Sequence, residues 1–511
     1  MDDMHMHEGQ PEPAGTGATA AAHDPAAFLA ELRRLRASVE EQAERLFAQW
    51  DGEGRIARPE FRESARNLAD YIVLRRIDLR ALQDRLAALG LSSLGRLEGR
   101  VMANLDAVIA ALAAIAGAPD RPPFPDAALM FHGQALLKEN ADRLFGARAG
   151  ARQVRIMVTL PREAADEPAL VETLMLRGMD VARINCAHDD AAAWEAMARN
   201  VRDAAAAVGR DVRIVMDVAG PKCRTGEICA DDDHERLHRG DRLFLARGPF
   251  LPLAQFPAQA TCTIASVHDH LAIGAPVWFD DGQAGGTVEQ VDAHGAVVRI
   301  AHAPGKGVRF RADKGLNFPE TELGVPALTP KDLADLDVVV RHADMVGYSF
   351  VQSAEDIALL QHELAARGGA KAERIGIVAK IETPRAVRNL PGIIVQAAGR
   401  QPFAVMIARG DLGVEIGFTR LAEIQEEMLW LCEAAHVPVI WATEVLASLV
   451  KEGMPTRGEM TDAAMSARAE CVMLNKGPHV AEALEILDAL LVRMAEHQTK
   501  KTPRLRALKS W

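Results

Sequence analysis

From about residue 151 onward, short apolar runs alternate with longer stretches of helical periodicity. The runs are almost continuously apolar, which is typical of strands buried on both faces of a parallel sheet. Eight regular β-then-α repeats predict an α/β fold, the TIM or (β/α)8 barrel. The predicted strands lie near Val154–Leu160, Val181–Asn185, Val212–Val218, Met345–Phe350, Ile375–Glu382, Ala404–Arg409, Pro438–Thr443 and Cys471–Asn475.

One long insertion interrupts the β/α alternation between the third and fourth strands, over residues 224–313. Its Gly and Pro punctuation and its short runs DRLFLA, APVWFDDG and GAVVRIAH predict a small all-β domain. Active sites of these barrels lie at the C-terminal ends of the strands, so a domain inserted there can close as a lid and exclude water. The barrel is therefore predicted in two parts, 151–223 and 314–498.

The sequence before residue 151 predicts helices and no catalytic constellation. Asp24-Pro25 marks the first helix start, because an acidic cap followed by Pro is favoured there. The helical region is expected to be an all-helical packing or assembly module. Its further helices are predicted over Pro59–Ile77, Leu79–Leu89, Leu94–Ile115 and Ala127–Phe145. The segments outside the barrel are a disordered tail (1–23), a helical domain (24–118), a linker and helix (119–150) and a basic, solvated tail (499–511).

Composition narrows the function classes. The formal net charge is −12 over 511 residues, which argues against broad nucleic-acid binding because phosphate neutralisation needs clustered Lys and Arg. No apolar run is long enough to span a bilayer, so no membrane partner is expected. The six cysteines form no CxxC pair, which is typical of reduced thiols in a cytoplasmic protein.

Charged and polar side chains follow several predicted strands at the point where each strand ends. Burying such charges costs several kcal/mol each unless they are paired or bound to a ligand. Their concentration at one barrel mouth favours a functional site over a stabilising ion-pair network. The residues are Arg183, Asn185, Asp217, Lys222, Arg224, Lys380, Glu382, Arg409, Asp411, Thr443 and Glu444.

A metal site is predicted within this set. Lys380 and Glu382 are two residues apart, so they project to the same side of their strand. Asp411 follows the next strand, and Glu382 and Asp411 together suit one Mg²⁺ (or Mn²⁺) whose other ligands are waters and substrate oxygens. The alternative is that Lys380, Glu382 and Asp411 form a structural salt-bridge cluster.

Several motifs, in order, resemble those of the pyruvate kinase family over roughly Ala151 to Met494. They are MDVARINCAHD, MDVAGPKCRTGEI, DKGLNFPETELGVPALTPKDLADL, YSFVQSAEDI, VAKIETPRAVRNL, IARGDLGVEIG, PVIWATEVLASLV and PTRGEMTDAA. The resemblance implies a cytoplasmic, glycolytic, Mg²⁺-dependent transferase that converts phosphoenolpyruvate and ADP to pyruvate and ATP, with the insertion as a mobile lid. A homo-oligomer is compatible with it.

The resemblance also implies residue roles. Glu382 and Asp411 would bind the metal, and Arg183 would hold the phosphoryl group. Lys380 would neutralise the transferring group, and Thr443 would help protonate the enolate through water. The backbone of Gly410 and Asp411 would take the substrate carboxylate. The nucleotide phosphates would lie near Asn185, His188, Arg224 and Lys314.

The sequence also departs from the family pattern. Asn475-Lys476-Gly477-Pro478 stands where the family usually has Ser-Gly-Glu-Thr, and Glu444 replaces a usual Gln. The short stretch after the last strand predicts that the family's C-terminal effector domain is missing. In the monovalent-cation region of Asn185, Asp217 and Lys222, Ala187 replaces a usual Ser, and a Lys at position 222 implies that K⁺ is not required.

Two other functions fit parts of the pattern. The first is a metal-dependent aldolase or lyase that stabilises the same pyruvate enolate, although such an enzyme needs no nucleotide lid. The second is a catalytically degenerate kinase that acts as a binding protein. Formation of ATP from phosphoenolpyruvate and ADP distinguishes the kinase from both.

Overall fold

The structure is a computed structural model that describes residues 24–148 and 150–504. The predicted tail at 1–23 and residues 505–511 of the predicted basic tail lie outside the described residues. The described chain forms two compact units, one of residues 24–48 and 66–133 and the other of residues 49–65 and 134–504. No described helix is long and apolar enough to cross a membrane.

The region before the barrel is helical, as predicted. The first helix begins at Pro25, and Asp24 Oδ1 accepts a hydrogen bond from the amide of Ala26 at 2.9 Å. The predicted helix start at Leu94 is wrong, because Leu94 adopts a left-handed conformation with φ 59° and the α-helix begins at Val101. The helices are α1 (Pro25–Gly52), α2 (Arg62–Leu74), α3 (Arg80–Ala88), α4 (Val101–Ile115) and α5 (Leu129–Phe145).

The barrel starts with three parallel strands and the two helices that connect them. Every residue of the first strand is buried, which agrees with its continuously apolar sequence. Asp190 caps the second connecting helix by accepting a hydrogen bond from the amide of Ala193. The elements are β1 (Arg155–Thr159), α6 (Pro168–Leu176), β2 (Val181–Asn185), α7 (Ala191–Val208) and β3 (Arg213–Val218).

The insertion is a β domain with its own hydrophobic core, as predicted, plus one short helix. Its strands are β4 (Thr225–Ala230), β5 (Arg236–Leu237), β6 (Arg242–Ala246), β7 (Ala258–Cys262), β8 (Pro276–Phe279), β9 (Ala284–Val291), β10 (Gly295–His302), β11 (Val308–Arg309) and β12 (Leu316–Asn317), and its helix is α8 (Val267–His270). Seven strands form one sheet in the order β12-β8-β9-β10-β6-β7-β4, and β11 pairs with β5.

The second part of the barrel supplies the other five strands. All eight barrel strands are parallel and close in the order β1-β17-β16-β15-β14-β13-β3-β2. The strands are β13 (Met345–Tyr348), β14 (Gly376–Ile381), β15 (Phe403–Ala408), β16 (Val439–Ala442) and β17 (Cys471–Leu474). The helices are α9 (Pro330–His342), α10 (Ala354–Gly368), α11 (Pro384–Ala398), α12 (Arg409–Ile416), α13 (Phe418–Ala434), α14 (Ala447–Glu452), α15 (Arg457–Met465) and α16 (Val480–Ala495).

The last turn of α5 closes the N-terminal end of the barrel. Ala141, Leu144 and Phe145 pack in one cluster with buried side chains from the barrel strands. Gly376 makes room for this contact, because a Cβ there would lie 2.5 Å from Leu144 Cδ2. The barrel core therefore includes residues that precede its first strand.

The described part of the basic tail is a short hairpin of β18 (Gln498–Thr499) and β19 (Thr502–Pro503), which the sequence did not predict. Lys500, at its turn, lies 2.5 Å from Glu470 Oε1. This ion pair ties the start of the tail to the residue that precedes β17.

Candidate active site

The strand-end residues predicted from the sequence lie at one end of the barrel. Because all eight strands are parallel, their C-terminal ends meet at the same rim. Ion pairs cross between neighbouring and non-neighbouring strands there, as the following contacts show.

A buried Arg–Asp pair joins the ends of β2 and β3. Arg183 lies 2.8 Å from Asp217 Oδ2 through Nε and 3.0 Å from Thr159 Oγ1 through a terminal nitrogen. Burial alone would raise the pKa of Asp217, but the charges of Arg183 and Lys380 outweigh it and hold that pKa below its ordinary value. Asp217 is therefore a fixed anion between two cations.

Asp217 is packed against the backbone of β13. A Cβ at Gly347 would lie 1.9 Å from Asp217 Oδ1, so only glycine fits at this position. Asp217 Oδ1 is buried and has no hydrogen-bond partner among the described residues. The second oxygen alone anchors the carboxylate to Arg183.

Lys380 projects from β14 into the centre of this group. Its Nζ lies 3.1 Å from Glu382 Oε1, 3.7 Å from Asp217 Oδ2 and 2.7 Å from Ser349 Oγ. The Ser349 hydroxyl in turn donates to the carbonyl of Val218 at 2.8 Å. Ser349 therefore positions Lys380, a role that sequence reasoning missed although the motif YSFVQS contains it.

Glu382 is buried and held from two sides. Its Oε2 accepts a hydrogen bond from the amide of Phe350 at 2.6 Å, and its other oxygen faces Lys380. Burial raises the pKa of Glu382; Lys380 opposes this effect, while the nearby negative charge of Asp411 adds to it. Glu382 and Asp411 are thus close enough to repel each other.

Asp411 lies in the first turn of α12 and pairs with Lys222. The distance from Lys222 Nζ to Asp411 Oδ1 is 2.7 Å, and the same ammonium lies 3.2 Å from Asp281 Oδ1 in the insertion. The structure therefore gives Lys222 two carboxylate partners, one on the barrel rim and one in the insertion. Lys222 thereby links the rim to the inserted domain.

These carboxylates fit a divalent metal. Two neighbouring carboxylates whose repulsion a cation would relieve are a donor set that suits Mg²⁺, which takes its remaining ligands from water and substrate. The described residues contain no group of three or more His, Cys, Asp or Glu side chains arranged to hold a metal ion. Glu382 and the oxygen of Asp411 that does not face Lys222 are the protein ligands that this site can offer.

Thr443 lies beside the start of α12 with strained backbone geometry. Its φ is 64°, and its Oγ1 accepts a hydrogen bond from the amide of Gly410 at 2.7 Å. That amide was predicted to take a substrate carboxylate, and here Thr443 engages it. The Arg409 side chain makes structural contacts only with protein groups, because it donates hydrogen bonds to Asp462 and to the carbonyls of Ala442 and Thr443.

A second cationic group lies where the chain enters the insertion. The side chain of Arg224 bonds the carbonyl of Asp313 at 3.1 Å, and Lys314 Nζ lies 2.6 Å from Asp280 Oδ1. The entering and leaving segments also pair directly, since the amide of Thr225 donates to the carbonyl of Lys314 at 2.8 Å. Arg224 and Lys314 are thus held at the hinge of the insertion.

His188 lies in the turn after β2, near two cations. Partial burial lowers its pKa, and the charges of Lys476 and Arg224 lower it further. Lys476 belongs to the Asn475-Lys476-Gly477-Pro478 loop, and sequence reasoning did not assign it to the site. Asn185 Oδ1 accepts a hydrogen bond from the amide of Ala187 at 3.2 Å.

A cavity of about 400 Å³ separates the end of the insertion from the barrel, beside Lys222. Glu415 lines it and accepts a hydrogen bond from Asn317 Nδ2 at 2.9 Å. Burial, with a contribution from Asp411, raises the pKa of Glu415 to about 7. Glu415 was not among the predicted site residues.

Comparison with known proteins gives a consistent family assignment. Residues 151–481 match the family model described as the pyruvate kinase barrel domain. The chain is 32% identical over 349 residues to a pyruvate kinase of Geobacillus stearothermophilus. The aligned region covers 67% of this chain and 57% of that protein. The chain is 30% identical to a pyruvate kinase of Mycobacterium intracellulare, covering 69% of this chain and 72% of the relative. It is 29% identical to the pyruvate kinase PKLR of Rattus norvegicus, covering 66% and 59% of the two chains.

Proposed function

The chain belongs to the pyruvate kinase family, and on this premise we propose that it transfers the phosphoryl group of phosphoenolpyruvate to ADP. The observation that carries the proposal is the convergence of Arg183 and Lys380 on Asp217, beside the carboxylates of Glu382 and Asp411. We assign the reaction to glycolysis in the cytoplasm, with a homo-oligomer as the working assembly.

The charges at the rim suit phosphoryl transfer. The reaction breaks the bond between the enol oxygen and phosphorus and forms a bond from phosphorus to a terminal phosphate oxygen of ADP. Catalysis is mainly positioning and electrostatic stabilisation, because the transition state spreads negative charge over the phosphoryl oxygens. Arg183 holds the phosphoryl group and Lys380 neutralises the transferring group and the enolate oxygen.

Glu382 and Asp411 are the residues that would hold Mg²⁺ or Mn²⁺. When bound, the metal supplies positive charge to the phosphoryl and enolate oxygens. Lys222 orients Asp411 through one carboxylate oxygen, and Phe350 and Lys380 orient Glu382. The substrate carboxylate lies at the backbone of Gly410 and Asp411, which requires Thr443 to release the Gly410 amide.

Protonation of the enolate carbon completes the reaction. Thr443 Oγ1 acts only as an acceptor towards the Gly410 amide, so the hydroxyl hydrogen is available for donation whether or not that amide has turned to the substrate. A threonine hydroxyl is a weak acid, and it therefore passes the proton through water. The nucleotide phosphates lie among Asn185, His188, Arg224 and Lys314, where the positive charge of Lys476 adds to that of Arg224 and Lys314.

The test is formation of ATP from phosphoenolpyruvate and ADP, followed spectroscopically with and without Mg²⁺. We expect Mg²⁺-dependent turnover by the unmodified protein and its loss in Asp411→Ala. The control is Glu423→Ala, which removes an exposed carboxylate on α13. Tight binding of phosphoenolpyruvate without ATP formation would indicate a binding protein, and carbon–carbon bond cleavage or formation without ATP would indicate an aldolase or lyase.

A further inference from the structure

A second cavity, of about 480 Å³, lies at the opposite end of the barrel from the proposed active site. It is framed by the segments that begin the strands, including Arg213 of β3, Asp344 before β13 and Gly376 of β14. Its ionisable lining consists of seven Arg or Lys side chains, one histidine and one carboxylate. These residues are Arg143, Arg199, Arg202, Arg213, Arg341, His342, Lys371, Arg374 and Asp344.

Part of this positive charge is already paired with protein groups. Arg202 lies 2.9 Å from Asp344 Oδ2, and it also donates to the carbonyls of Val212 and His342. Three further arginines of the lining also form an ion pair with a carboxylate. Those pairs are Arg143–Glu139, Arg213–Asp211 and Arg341–Glu195.

Three lining cations have no such partner. Arg199, on α7, and Lys371 and Arg374, on the turn that precedes β14, form no ion pair or side-chain hydrogen bond with any described residue. They approach the cavity from two separate elements. The cavity therefore has uncompensated positive charge in a protein whose formal net charge is −12.

The ordinary explanation of three unpaired cations is that they are solvated surface side chains. The other cations that line this cavity argue against that explanation. The arginines around this cavity that serve structure each have a carboxylate beside them, whereas these three cations have no carboxylate partner among the described residues. A concave site lined by one sign of charge focuses the field and concentrates counter-ions. The volume falls in the range of small-molecule sites, about 300–1,000 Å³.

We propose that this cavity binds a small anion that carries two phosphoryl groups. Guanidinium groups bind phosphate oxygens in a bidentate manner, and two of the three unpaired cations are arginines. A single phosphate would leave part of their charge uncompensated, while a diphosphate or bisphosphate matches it. The site shares no lining residue with the set proposed for catalysis, so a ligand there can bind without competing for substrate.

The experiment is calorimetric titration with inorganic pyrophosphate in metal-free buffer of low ionic strength. The test variant is Arg199→Ala/Lys371→Ala/Arg374→Ala. The matched control, Arg34→Ala/Arg96→Ala/Arg239→Ala, removes the same charge from exposed residues that do not line the cavity. We expect affinity to fall at least about tenfold in the test variant and to be unchanged in the control. Pyrophosphate bound at the barrel mouth would survive both sets of substitutions.

Thermal unfolding of the same proteins provides the second measurement. A ligand that binds only the folded state raises Tm, so pyrophosphate should stabilise the wild type and the control but not the test variant. The milder double variant Lys371→Gln/Arg374→Gln should give an intermediate result if the triple variant folds poorly. Equal pyrophosphate affinity in all variants would overturn the site, and equal affinity of the wild type for orthophosphate would overturn the requirement for two phosphoryl groups.

Discussion

Lys222 Nζ lies 2.7 Å from Asp411 Oδ1, and this ion pair joins the residue that follows β3 to the first turn of α12. Burial alone would lower the pKa of Lys222, but Asp411 and Asp281 outweigh it and raise that pKa. Lys222 is therefore a permanent cation at the rim of the barrel, in the region that the sequence analysis considered for a monovalent cation.

We predict that turnover does not require K⁺. Two oxygens of that region are already engaged, because Asn185 Oδ1 accepts a hydrogen bond from Ala187 and Asp217 Oδ2 pairs with Arg183 and Lys380. With tetramethylammonium as the only added monovalent cation, rates should remain within about twofold of those with K⁺, since the ammonium of Lys222 supplies the charge. Strong stimulation by K⁺ would contradict this assignment. Lys222→Glu should lower activity, with Lys451→Glu as an exposed control.

Lys380→Met should reduce kcat by about a hundredfold to a thousandfold, the typical cost of removing one well-placed electrostatic group. The variant loses the charge that faces Glu382 and Asp217. The control is Lys451→Met, at an exposed position on α14. Steady-state kinetics and circular dichroism should separate lost catalysis from lost structure, and near-normal kcat would refute the role of Lys380.

Gly347→Ala should damage the site although it replaces no charged residue. The new methyl group would meet Asp217 Oδ1, so Asp217 must move and disturb its contacts with Arg183 and Lys380. We expect a loss of about 1–3 kcal/mol in stability from overpacking, with reduced kcat. Gly248→Ala is the matched control, because nothing lies within 4 Å of a Cβ there. Unchanged kcat and Tm in Gly347→Ala would contradict the packing.

Glu415→Gln should stabilise the protein at high pH. The folded-state pKa of Glu415 is raised to about 7 from 4.5 by burial, so its contribution to stability is complete below about pH 4.5 and is lost as pH rises through 7. Glutamine keeps the hydrogen bond from Asn317 and removes the cost of a buried charge.

The gain at pH 8 over that at pH 5 should be about 2–3 kcal/mol, because the pKa rises from 4.5 to about 7 and one pKa unit corresponds to about 1.4 kcal/mol. It is measured as Tm at the two pH values, with Glu423→Gln as the exposed control on α13. A gain that does not depend on pH would show that Glu415 is not titrating in this range.

The barrel was predictable because its strands are buried on both faces and so are almost continuously apolar. The ends of the strands were located to within about two residues, which is enough to bring the strand-end side chains to one rim. The assigned roles of Arg183, Lys380, Glu382, Asp411 and Thr443 remain predictions. Their proximity follows from parallel strands that close into a barrel.

Other features had no local signal in the sequence. Asp411, the barrel partner of Lys222, is 189 residues away in the sequence, and their contact depends on how the rim of the barrel packs. The basic cavity was missed for the same reason, because Arg199 and Arg374 come from separate repeats and form no motif. Ser349 stood inside a recognised motif, but only the 2.7 Å contact with Lys380 reveals its role.

The last turn of α5, which closes the N-terminal end of the barrel, changes which residues form an autonomous folding unit. The matched family segment begins at residue 151, yet Leu144 and Phe145 fill the base of the barrel and Asn140 bonds the carbonyl of His436. An excised fragment that starts at the first strand would present an open apolar floor to solvent. For expression of the barrel alone, for circular permutation or for fusion at its N-terminal side, a boundary at the first strand is too late, because the same compact unit also includes residues 49–65 and resumes at Gln134.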